Sequence, residues 1–87
     1  MLKIYCIKDT KAGYMNPFYL QNDEIAIRSF KKAANDVQSN AINDFPEDKE
    51  LWYLGEFDER TGIITGEEPK FLLRAIECIV KRVENKE

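Results

Sequence analysis

The segment from Asn22 to Gln38 constrains the fold more than any other stretch. At 100° per residue, Ala26, Ile27, Phe30, Ala33, Ala34 and Val37 fall on one arc, and Arg28, Lys31, Lys32 and Asn35 fall opposite. Asn22 has the side chain of an N-cap, and Asp23 and Glu24 complement the positive end of the helix dipole. The pattern predicts an amphipathic helix that must lie on an apolar surface. Ile25 breaks it, standing among the bases at i, i+3 and i+7 with Arg28 and Lys32.

Strands supply that surface. Leu2 to Lys8 alternates, with Leu2, Ile4 and Cys6 on one face and Lys3, Tyr5 and Ile7 on the other. The aromatic-rich run Leu51 to Phe57 suits a second strand. Asp58-Glu59-Arg60-Thr61-Gly62 is a hairpin signal, and Ile63-Ile64-Thr65 returns as a third strand. Residues 9–21 read as a long aromatic loop holding Tyr14, Met15, Phe18 and Tyr19, with Pro17 disfavouring helix before it. Gly66-Glu67-Glu68-Pro69 resembles a helix start. A second helix is predicted to follow it, with Phe71, Leu72, Ala75, Ile76, Ile79 and Val83 facing the core.

An 87-residue chain makes a single domain, residues 1–87, with a thin core. The expected order is β-α-β-β-α. That is an α+β two-layer sandwich: a three-stranded sheet with two helices on one face, a ferredoxin-like arrangement lacking its last strand. In this topology strand three lies between the other two. Strand one is then an open edge, and Leu73 and Val80 are under-covered. A homodimer would address both, which makes Ile25, Leu73 and Val80 the candidate interface.

The chain has no histidine and no C-x-x-C pair, so zinc sites and Cys-His or Ser-His catalysis lose their usual components. Cys6 and Cys78 read as buried reduced thiols. The acids Asp44, Glu47, Asp48, Glu50, Glu56, Asp58 and Glu59 match no cation-binding loop and read as solvated turns. No general base stands out. The expectation is a protein that is not an enzyme, with no cofactor and no metal. No apolar run approaches the ~20 residues needed to cross a bilayer, and the start of the chain alternates where a signal peptide would be continuously apolar. A cytoplasmic protein without membrane contact is expected.

The net charge of −3 is unevenly spread. Residues 1–32 carry +3, residues 33–69 carry −8 and residues 70–87 carry +2. A cationic patch beside an acidic region orients an encounter with a charged partner. The candidate contact group joins cations Lys11, Arg28, Lys31 and Lys32 to the rings of Tyr14, Phe18 and Tyr19. Such rings stack on bases of single-stranded nucleic acid while cations neutralise phosphates. The plainer reading is that the rings anchor the loop and the bases form a solvated face.

Lys3-Ile4-Tyr5-Cys6-Ile7-Lys8-Asp9-Thr10-Lys11-Ala12-Gly13 resembles the opening of a small non-structural protein family of gokushoviruses, single-stranded DNA bacteriophages of the Microviridae. Pro17-Phe18, Asn22-Asp23, Ala26-Ile27-Arg28 with Phe30, Pro46-Glu47-Asp48, Leu51-Trp52, Gly55-Glu56-Phe57-Asp58 and Thr61-Gly62 continue the similarity in register to about residue 70. The resemblance implies a phage accessory protein in the host bacterial cytoplasm, associated with viral single-stranded DNA synthesis or packaging. It carries over no catalytic residue, and Arg28 matches its pattern. Single-stranded DNA is the first expected partner. The rival expectation is an adaptor that docks on the replication initiator, the procapsid or a host factor.

Overall fold

The computed structural model describes residues 1–36, 42 and 44–79. Its centre is a pair of antiparallel strands, β1 (Leu2–Asp9) and β4 (Lys49–Asp58), aligned from Leu2 opposite Phe57 to Asp9 opposite Lys49. β5 (Ile63–Arg74) pairs antiparallel with the far side of β4. Two short strands, β2 (Gly13–Tyr14) and β3 (Phe18–Leu20), pair with the free side of β1. The result is a curled five-stranded antiparallel sheet with one α-helix among the described residues, α1 (Asp23–Ala34).

This corrects the expected α+β sandwich of three strands and two helices. The region predicted as the second helix continues β5 through Arg74 and ends in a short 3-10 turn, Ala75–Cys78. Phe71, Leu72, Ala75, Ile76 and Ile79 recur at helical spacing, but pairing with β4 from Ile63 to Arg74 overrides that local pattern. Pro69 is tolerated because β5 is an edge strand, where a missing N–H breaks no ladder. The first and second long strands are antiparallel neighbours, so no crossover separates them and β4, not the third long strand, is central. β1 is flanked on both sides, which removes the open edge that suggested a dimer. Val80, Val83 and the cations from Lys81 onward lie outside the described residues, as do Val37 and Gln38 at the expected helix end.

The aromatic loop at 9–21 is in substance a bulged edge strand. Thr10–Ala12 turn the chain, Gly13 takes positive φ (106°), and Tyr14 lies opposite Lys8. Residues 15–17 then bulge away, with Pro17 in a place that needs no donor. The Met15 N–H donates to the Ile7 carbonyl at 2.8 Å, and the Cys6 thiol donates to the Met15 carbonyl at 2.9 Å. Phe18, Tyr19 and Leu20 resume the ladder opposite Tyr5, Ile4 and Lys3.

α1 begins as its sequence dictates. The Asn22 side chain accepts from the Ile25 N–H at 2.9 Å, with Asp23 and Glu24 in the first turn. It buries Ala26, Phe30 and Ala34 against Tyr5, Ile7 and Leu51 of the sheet and Ala75 and Cys78 of the final turn. Phe18, Leu20, Tyr53 and Leu73 close the margins of this core. Both thiols are free and buried. The fully buried Tyr5 donates its hydroxyl to Asp23 at 2.6 Å, and Lys3 stands 3.7 Å from the same carboxylate. The start of α1 is thereby tied to β1.

Glycine is required at Gly55, where φ is 154°. A Cβ there would collide with the Thr65 carbonyl of β5 and stand 3.1 Å from the Gly66 Cα. The two backbones touch because three residues of β5, 67–69, bulge past one residue of β4 between the Tyr53–Lys70 and Gly55–Gly66 pairs. The Gly55→Ala variant should lose about 2–3 kcal/mol in urea unfolding through strain and backbone displacement. Gly66→Ala meets open space and should change stability by less than about 1 kcal/mol.

Burial first, then the Asp23 carboxylate, push the Tyr5 phenol well above the ordinary tyrosine range. The folded chain therefore holds this proton more tightly than the unfolded one. Its stabilising contribution is complete below pH about 10 and declines as pH rises beyond that, because the unfolded phenol ionises there first. Unfolding followed from pH 8 to 12 should show that decline, and Tyr5→Phe should make it shallower.

Candidate nucleic-acid interface

The two faces of the sheet have different fates because β-strand residues alternate. Tyr5, Ile7, Leu51 and Tyr53 point at α1 and form the core. Ile4, Cys6 and Lys8 of β1, with Trp52 and Phe57 of β4, belong to the other face, which no described helix covers. Ile4 and Cys6 are nonetheless buried, at 6% and 1% exposure. In the ladder Tyr19 lies opposite Ile4 and Trp52 opposite Cys6, so aromatic rings flank both on this face.

Tyr14, Trp52 and Phe71 run across this outer face on β2, β4 and β5. Tyr14 meets Trp52 at 5.9 Å and 81°, and Trp52 meets Phe71 at 5.8 Å and 72°. These are edge-to-face contacts, the arrangement that the ring quadrupole favours. The Lys8 ammonium sits 4.9 Å from the Trp52 ring centre and 5.1 Å from that of Tyr14. The Trp52 indole N–H donates to Glu50 at 2.9 Å. A second group, Tyr19 against Phe57 at 5.7 Å, lies toward the other end of the same face. Ile4, Gly55 and Gly66 separate the two groups. Tyr14 is 48% exposed, Tyr19 47% and Phe71 43%.

The predicted contact residues divide between this face and the helix. Tyr14 and Tyr19 are on the outer face, whereas the half-buried Phe18 stacks on Tyr5 at 6.1 Å as part of the core. The alternation of β3 accounts for the split: Phe18 and Leu20 point in and Tyr19 points out. Lys11 is exposed in the turn after β1, its N–H donating to Asp9 at 2.9 Å. Arg28, Lys31 and Lys32 are exposed on the side of α1 that faces away from the sheet. Among the described residues no ion pair involves these three. Arg28 and Lys31 line a shallow depression of about 310 Å³ with Ile27 and Glu24. The helix cations and the exposed tyrosines are thus on opposite sides of the molecule.

The candidate interface residues are likewise scattered. Ile25 is 36% exposed on α1, Leu73 packs against the core, and Val80 lies outside the described residues. Among the described residues no group of three or more acids and cysteines is placed to hold a cation. No helix among them is long and apolar enough to cross a membrane.

Sequence reasoning missed Lys8, Trp52 and Phe71 as site residues. The alternation of Leu2 to Lys8 places Lys8 on the Ile4–Cys6 face, which was a usable signal. Phe71 was hidden by the helical reading of its segment, which turned it toward the core.

Comparison with known proteins agrees with the phage character of the resemblance. No curated protein and no solved structure matches this chain. The family model described as Phage ORF5 protein matches residues 2–78, which spans the sheet, α1 and the closing turn, and the chain therefore belongs to that phage protein family.

Proposed function

We propose that this phage protein is a non-catalytic accessory factor that binds single-stranded DNA, with a role in viral DNA synthesis or packaging. The gokushovirus resemblance of residues 3 to about 70 supports the viral setting. The observation that carries the binding reading is the exposure of Tyr14 and Tyr19 on the sheet face opposite α1, with Lys8 beside the Tyr14 ring. Exposed rings stack on bases without regard to sequence, and cations beside them meet the phosphates. With few cations available, binding is modest and salt-sensitive.

The adaptor reading retains one specific support. β5 is an edge strand whose residues from Ile63 to Phe71 are all exposed, including Ile63 at 61% and Ile64 at 59%. Such an edge can accept an extended segment of a replication or capsid protein.

Fluorescence anisotropy of a labelled oligodeoxythymidylate of about 12 nucleotides separates the readings. The proposal expects saturable binding at low salt that weakens steadily as salt is added. An unchanged anisotropy at low salt and high protein concentration overturns it in favour of the adaptor.

A further inference from the structure

We infer that the sheet face opposite α1, with Tyr14, Trp52 and Phe71 stacking on bases around Lys8, is the surface that takes single-stranded nucleic acid. This assignment rests on the binding reading above and places the contact away from α1.

The rings are preorganised. Register fixes their positions, with Tyr14 opposite Lys8, Trp52 opposite Cys6 and Phe71 opposite Trp52. Edge-to-face contacts then fix their tilts. Stacking on rings held in this way costs little ordering entropy. The indole N–H is already satisfied by Glu50, so a ligand need not supply an acceptor.

Charge selects the occupant. By ladder position Lys8 and Arg74 fall on this face with the acid Glu50, which lies opposite both, and the Arg74 guanidinium donates to the Glu47 carbonyl at 3.5 Å. Across these three ladder positions the charges sum to +1, on a chain whose net charge is −3. An apolar protein surface pressed here would strip water from the Lys8 ammonium and leave it only Glu50, which already accepts from the Trp52 indole. A second copy meeting this face would set cation against cation. A polyanion with planar bases satisfies both the ammonium and the rings. The exposed side of α1 offers cations without rings, because Tyr14 and Tyr19 are on the far side, and Glu24 stands in the same depression as Arg28 and Lys31.

The same anisotropy assay tests the assignment with variants. Tyr14→Leu and Phe71→Leu keep an apolar side chain at each position and remove the stacking surface. Each should weaken binding roughly 5- to 150-fold. Lys8→Gln should make the slope of log affinity against log salt shallower by about 0.7, the value for one phosphate contact on a single strand. The Arg28→Ala/Lys32→Ala double variant should bind within about 2-fold of the parent. Circular dichroism melts confirm that each variant is folded, and Tyr14→Ser provides a second edge variant should Phe71→Leu fail that check. Loss of binding in the helix double variant, with both ring variants binding like the parent, overturns this assignment and leaves the DNA reading standing. Absence of binding by the parent chain overturns the DNA reading and this assignment with it.

Discussion

A single described helix serves a sheet with two faces, and most of the architecture follows from that shortage. The α1 stripe of Ala26, Phe30 and Ala34 can seal one side of β1 and β4. The other side buries Ile4 and Cys6 with no second layer among the described residues. Aromatic side chains do this from within the sheet, since each can cover a wide area from one backbone position. Rings that shield a sheet face necessarily show their own outer surfaces to solvent. The candidate site is therefore a consequence of how the core is closed on that side.

The strand edges show a related compromise. β5 is long and exposed, a geometry that invites pairing with other chains. The Glu67-Glu68-Pro69 bulge interrupts its outer edge with two charges and a missing N–H, dividing it into shorter segments. The same bulge brings β5 against Gly55, so protection of the edge is linked to the requirement for glycine at that position. On the opposite edge, Pro17 and the bulge at residues 15–17 divide β2 from β3 and aim the Met15 carbonyl at the Cys6 thiol.

The fold is legible in the sequence where local physics governs. The Asn22 cap, the α1 stripe, the alternation of β1 and the Asp58–Gly62 turn all depend on neighbours a few residues apart. The turn forms with the Gly62 N–H donating to the Asp58 carbonyl at 2.7 Å and Gly62 at φ 79°. The fold is not legible where pairing is long-range. Residues 66–74 carry acids and a proline placed like a helix start, and nothing nearby reveals that β4 will claim them. β2 and β3 are too short to signal strands without β1 as a template. A helix at 66–74 and a loop at 9–21 would put Phe71 in a core and Phe18 beside Tyr19 on a common surface; strand pairing instead turns Phe71 outward and Phe18 inward. The row of rings is not legible in the sequence because Tyr14, Trp52 and Phe71 meet only through three separate strand pairings.

Trp52, the single tryptophan of the chain, stands in the middle of that row and reports on it without a label. Its emission should be followed while unlabelled oligodeoxythymidylate is added at low salt, with iodide quenching measured at the start and at saturation. A base settling on the outer face predicts a saturable fall in emission and reduced access of iodide once the oligonucleotide is bound. Emission and iodide access that remain unchanged while DNA is bound would contradict the account, because the nucleic acid would then be held on another surface.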